Sequence, residues 1–361
     1  LVYAADASRP EHGAFYQEQA EKGTEVAVKL MFLELELQGA PEEAVARWSA
    51  DPRMAPYLHY LKMVRVYAPY RLSEKEEVLL EEVANTGPRA WGRLFDETLS
   101  NQKYRVTLPS GEEEMNQSKV LDLLREADRA KRLAGAAALT KGLAENERVL
   151  TFVFNTLVQD KAVGDRLRQY ATPETSRHLS NELTPEIVAM MEGVCRDNYG
   201  LVARYYRTKK RLLGLDELTH VDRYAPLHEP EGTLSWSDAQ NITLDAFARF
   251  SPRMRASAEE FFDRRWLDAE PRDGKRGGAF CSSSTPELNP VILMSYNGKM
   301  EDVMTLAHEL GHGVHASLSR GQNLFDFHGT LPMAELASTF GEALVFDSLV
   351  ERASPRDQLA L

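Results

Sequence analysis

The chain has 361 residues, 43% of them hydrophobic, which is ample for a sizeable buried core and suggests two or three domains. Its formal net charge of −12 argues against nucleic acid or an anionic membrane as a partner, because both are held by Lys/Arg patches. The two cysteines, Cys195 and Cys281, lack Cys-x-x-Cys spacing, and no apolar run reaches the ~18 residues of a membrane span, so the expectation is a reduced, cytoplasmic protein.

The start, Leu1-Val2-Tyr3-Ala4-Ala5-Asp6, has neither the positive flank nor the apolar stretch of an export signal, and the missing initiator Met suggests a chain that begins inside a longer protein or after processing. Apolar residues at helical spacing predict helices over 26–38, 41–50 and 54–67, with Pro41 suited to a first turn. Ser73 and Glu76 have capping-box spacing and open a helix that Asn85-Thr86-Gly87-Pro88 closes. A short helix over 90–99 precedes Tyr104-Arg105-Val106-Thr107-Leu108, a strand by its β-branched and aromatic content, and Pro109-Ser110-Gly111 turns it into a hairpin near 103–115.

Long helical patterns then run over 118–143, 149–169 and 185–213, where the five basic residues between Arg204 and Arg211 read as a solvated helix face. A soft boundary near 181–185 divides a helical region, 1–184, from a second region, 185–361. Beyond Asp216 the texture changes, with Pro226, Pro230, Gly232, Pro252 and Pro271 punctuating shorter segments. Strands are expected over 279–282 and 290–296, and a helix over 300–318.

That last helix contains His308-Glu309-Leu310-Gly311-His312. Residues i and i+4 share a helix face, so two neutral imidazoles can reach one Zn2+, while Glu309 lies alongside, placed to take a proton from an attacking water. Four of the nine histidines fall between 308 and 328, which argues against accident. A catalytic zinc needs a third protein ligand. His315 is the nearest candidate, but three ligands spread over two turns of one straight helix would strain the geometry. Glu335 is stronger. It lies 23 residues after His312 on a helix that Pro332 can start, and it shares a face with Ser338 and Glu342. Glu342 is a candidate to hydrogen-bond a ligand histidine. Gly311 costs roughly 1 kcal/mol relative to Ala in a helix, and close approach of the second helix is the expected compensation.

The strands at 279–282 and 291–296 are both candidates for pairing with an extended ligand along an exposed edge. Ser282-Ser283-Ser284 lacks a Gly-x-Ser-x-Gly elbow, and no local signature supports Cys281 as a nucleophile with His308.

The run Thr305-Leu306-Ala307-His308-Glu309-Leu310-Gly311-His312-Gly313-Val314-His315, together with Glu335-Leu336-Ala337-Ser338-Thr339-Phe340-Gly341-Glu342 and Asn289-Pro290-Val291-Ile292-Leu293, resembles the thimet oligopeptidase and oligoendopeptidase F family, most closely the oligoendopeptidase F branch. Gly87 to Phe95 and His220 to Leu227 also resemble family segments. The resemblance implies a mainly α, two-lobed zincin-type metallopeptidase with a small β-sheet beside the active-site helix. It implies internal cleavage of oligopeptides, with His308, His312 and Glu335 on zinc, Glu309 as base, and Glu342 and His315 behind the ligands. A zinc exopeptidase and a non-catalytic metal-binding protein are the alternatives. Family members continue beyond the third-ligand helix, and their later helices supply a His and Tyr residues that contact substrate. This chain stops at Leu361, so the expectation is a fragment, or a chain completed by a separate C-terminal partner, that binds zinc better than it catalyses.

Overall fold

The computed structural model describes residues 1–227, 233–354 and 358; Pro230 and Gly232, expected to punctuate the chain, lie outside them. The fold is mainly α. Its first part runs α1 (Val2–Ala5), α2 (Pro10–Gly39), α3 (Glu42–Ala50), α4 (Leu58–Val66), α5 (Glu74–Ala84) and α6 (Pro88–Asn101). The capping box expected at the start of α5 is present, with Ser73 and Glu76 bonded reciprocally. The hairpin is present as well: β1 (Tyr104–Leu108) pairs antiparallel with β2 (Gly111–Met115), Tyr104 opposite Met115. Tyr104, Val106, Val120 and Ala138 bury a small core beneath it.

Two long helical patterns prove to be pairs of helices. The stretch 118–143 divides into α7 (Gln117–Leu123) and α8 (Arg129–Glu145). Asp128 accepts from the Ala130 N–H at 2.8 Å and caps α8, while Arg132 Nη1 takes up the carbonyls of Glu126 and Ala127 at 2.7 Å each. Side-chain bonds of this kind offer the backbone an alternative to a continuous helix. After α9 (Glu147–Arg168) and α10 (Thr175–Ser180), the stretch 185–213 divides into α11 (Pro185–Asp197) and α12 (Tyr199–Leu212) at Asn198, whose side-chain amide donates back to the Val194 carbonyl at 2.8 Å. The basic run on α12 is not wholly solvated: Lys209 is buried and donates to the Arg223 carbonyl at 2.8 Å.

The principal core belongs to the second half. α13 (Trp236–Phe250) and α14 (Pro252–Asp263) are followed by β3 (Leu267–Asp268), β4 (Phe280–Ser282) and β5 (Val291–Leu293), then α15 (Met300–Ser319) and α16 (Leu331–Arg352). The three strands form a sheet in the order β3-β5-β4, with β5 parallel to β3 and antiparallel to β4. The strand expected over 290–296 is therefore shorter and central, with no free edge; the edge strand of the pair is β4. Phe247, Phe261, Met294, Leu306, Leu310 and Val345 are fully buried between these elements. They press α15 between α13, α14 and the sheet on one side and α16 on another. Among the described residues no helix is long and apolar enough to cross a membrane.

Candidate metal centre

The apolar residues of α15 decide which way its polar ones face. Val303, Leu306, Ala307, Leu310 and Val314 are all buried, which leaves His308 and His312 on the flank towards α16. There the two helices approach closely. A Cβ on Gly311 would lie 2.6 Å from the Ala337 carbonyl oxygen, and one on Gly341 would lie 2.6 Å from the Ala307 carbonyl oxygen. The expected close approach at Gly311 is present and is reciprocated by Gly341. It is what brings a carboxylate of α16 over the imidazoles of α15.

That carboxylate is Glu335. Its Oε2 lies 3.5 Å from His308 Nε2 and 3.8 Å from His312 Nε2, and the three donor atoms all fall within 4.8 Å of one another. Three donors at ~2.0–2.1 Å around a tetrahedral zinc lie about 3.3 Å apart, so the cluster fits such an ion after a small contraction. The donor chemistry, two imidazoles and a carboxylate, suits zinc equally. The Glu335 side chain is 55% exposed, so the cluster opens to solvent on that side.

The groups behind the donors fix their orientation. Glu342, two turns further along α16, lies with Oε1 2.5 Å from His308 Nδ1. A proton held on Nδ1 by that carboxylate leaves Nε2 as the lone pair that faces the cluster. Ser338 is fully buried and donates to Glu335 Oε2 at 2.9 Å. The sequence places Ser338 on the same face as Glu335 and Glu342; only the structure shows which atom it holds. Burial, then the neighbouring His308, keeps the pKa of His312 below the usual histidine value and so favours the neutral, ligating ring. His315 stands apart: it is half-buried on the next turn of α15, outside the group of three.

Glu309 lies in a tight setting close to His308, Glu335 and Glu342. It is 5% exposed, and its Oε2 is buried with no hydrogen-bond partner in the protein. Burial pushes its pKa up to about 7, with the nearby Glu335 and Glu342 adding to the rise and His308 and the Cys281 backbone N–H opposing it. An orphaned carboxylate oxygen at that pKa, one residue from a ligand, suits a group that takes a proton and gives it back. The Cys281 thiol, on the edge strand β4, is pushed up to about 12 by burial and then by the Glu309 charge. A thiol held that far from ionisation is a poor nucleophile.

Residues 123–360 match the family described as Peptidase family M3, and residues 36–104 match the one described as Oligopeptidase F. The chain is 26% identical to an oligoendopeptidase F homolog of Lactococcus lactis subsp. lactis, over 96% of this chain and 59% of that one. It is 25% identical to the oligopeptidase PepF of Bacillus subtilis, over 96% of this chain and 53% of that one. Among solved structures, a PZ peptidase A with an inhibitor matches its fold with a TM-score of 0.78 at 15% identity, over 96% of this chain and 60% of that one. The oligoendopeptidase-F of Enterococcus faecium matches with a TM-score of 0.63 at 18% identity, over 98% and 57%. The chain thus spans less than two thirds of the length of these relatives.

Proposed function

The chain belongs to peptidase family M3, and on that footing we propose that it is the zinc-binding core of an endopeptidase acting on oligopeptides in the cytoplasm. Zinc held by His308, His312 and Glu335 would supply a Lewis acid that polarises the scissile carbonyl and acidifies water. Glu309 takes the proton of the attacking water and delivers it to the leaving amine. Glu342 holds the His308 ring in the ligating tautomer, and Ser338 holds the Glu335 carboxylate.

One observation carries this reading. Three donors from two helices converge within 4.8 Å, beside a buried carboxylate whose second oxygen has no partner. The outer edge of β4, next to Glu309, is the place where an extended peptide can add as a further strand. Two unpaired cysteines fit a reducing compartment. Cleavage of an internally quenched, end-blocked peptide, with metal content measured on the same sample, tests the proposal. Metal-dependent cleavage that vanishes in Glu309→Gln while metal stays bound is the expected result. Loss of metal in that variant would refute the role of base, and release of terminal residues only from unblocked peptides would favour an exopeptidase.

A further inference from the structure

The ligand-bearing face of α15 continues past His308. Thr305, three residues earlier and on the same face, lines a cavity of about 570 Å3 whose other walls come from α6, α7, the 271–279 loop and the residues after β5. Ala279, two residues before Cys281 along the β4 edge, stands in its wall as well. Three helical residues rise ~4.5 Å and two strand residues ~6.6 Å, so the cavity begins about that far from His308 along α15 and from Cys281 along the β4 edge. A peptide laid along the β4 edge would reach it two to four residues from the scissile bond, and the volume is of the size that small-ligand sites occupy, ~300–1,000 Å3.

The walls carry more basic side chains than acidic ones. Lys119 is exposed and has no carboxylate within ion-pair reach among the described residues. Arg276 lies 3.7 Å from Asp96, longer than the ~2.7–2.9 Å of a tight charged pair. Arg125 has its Nε buried without an aligned acceptor, although Glu301 is 3.0 Å away. Of the three acids in the walls, Asp302 accepts from the backbone N–H groups of Asn297 and Lys299 at 2.8 and 2.9 Å, Asp122 has Lys299 at 4.0 Å, and Asp96 has only Arg276 at 3.7 Å. A cavity wall in which cations outnumber carboxylates is out of character for a chain of net charge −12.

We propose that this cavity is a subsite for a carboxylate of the bound peptide, either its C-terminus or an acidic side chain two to four residues from the scissile bond. The proposal rests on the peptidase reading and names a substrate class for it. The test measures binding, by fluorescence anisotropy, to Glu309→Gln protein loaded with zinc. Three labelled peptides of one neutral sequence are compared: the free acid, the C-terminal amide, and the amide with one Glu placed three residues beyond the cleavage point. The expected result is about tenfold tighter binding of the free acid, of the Glu peptide, or of both over the neutral amide, the scale of a charge-assisted contact. Which of the two gains identifies the source of the carboxylate. Lys119→Gln with Arg276→Gln should bring all three within twofold and leave both the neutral-peptide affinity and the metal content unchanged. These side chains are at the surface, so the doubly substituted protein should fold. Equal binding of the three peptides, a preference that survives the double substitution, or no binding of any would overturn the subsite. Cleavage of the amidated peptide by the unsubstituted protein decides the peptidase reading separately: cleavage with no charge preference removes only the subsite, and a charge preference without cleavage removes only the peptidase.

Discussion

Glu342 Oε1 and His308 Nδ1 lie 2.5 Å apart, a contact between α16 and α15 that joins residues 34 positions apart in the chain. It decides which nitrogen of His308 is free to ligate. Glu342→Gln removes the charge that steadies the Nδ1 proton, and zinc affinity should fall about 10–100-fold. Competition against a chromophoric chelator measures this; unchanged affinity would show that the contact is incidental.

Gly311 has a testable cost. At an ordinary helix position Gly→Ala gains up to ~1 kcal/mol. Here the new Cβ would sit 2.6 Å from the Ala337 carbonyl oxygen, so the helices must part. Gly311→Ala should lose about 1–3 kcal/mol in chemical denaturation, the usual cost of overpacking, and bind zinc more weakly because Glu335 moves with α16. A more stable variant would mean that the two helices yield freely.

The Glu309 carboxyl gives the metal-free protein a pH dependence of known sign. Its ordinary value is 4.5, and the fold raises it to about 7. The folded state therefore holds this proton more tightly than the unfolded chain. The advantage is complete below about pH 4.5 and disappears as pH rises through 7, where an ionised carboxylate is buried. Glu309→Gln should raise the stability of the metal-free protein above pH 7, by on the order of 3 kcal/mol, with little gain near pH 4.5. Thermal melts across pH 4.5–8.5 in the presence of a chelator check it; a gain independent of pH would place the strain elsewhere.

Asp222 shows the opposite sign. It has no exposed surface and accepts from Arg129 Nε and Nη2 and from Arg132 Nη2, each at 2.9 Å, and from the Thr219 N–H at 3.0 Å. Chiefly the Arg129 contact, helped by Thr219 and Arg132 and opposed by burial, holds its carboxyl well below the usual range. The stability it contributes is present above the ordinary aspartate value of 3.8 and is lost as pH falls towards the depressed one. Asp222→Asn leaves the Arg132 guanidinium, itself 3% exposed, without its countercharge. That should cost about 3–5 kcal/mol and flatten the acid limb of the stability profile. A variant that unfolds at the same denaturant concentration would remove this clamp between α8 and the His220–Asp222 turn from the account.

The pieces whose physics is local can be read from the residues alone. The His308/His312 pair follows from the 3.6-residue period, the capping box of α5 from the Ser73–Glu76 spacing, and the β1–β2 hairpin from a β-branched run ended by Pro109-Ser110-Gly111. The proposed third ligand, Glu335, was legible because it follows the first helix at a workable distance. Tertiary structure decided what depends on contacts between distant residues. The break before α8 is local in its cap, Asp128 accepting from the Ala130 N–H, but the burial of Arg132, which holds the Glu126 and Ala127 carbonyls, depends on the distant Asp222. The strand order β3-β5-β4 makes β5 the centre and β4 the edge, a matter of pairing that alternation within a strand cannot reveal. The orphaned Oε2 of Glu309, the burial of Ser338 against Gly311 and the cavity that α6, α7 and the 271–279 loop form beside Thr305 arise only when α15 is packed among its neighbours, because burial and hydrogen-bond partnership are properties of a packed interface and not of a run of residues.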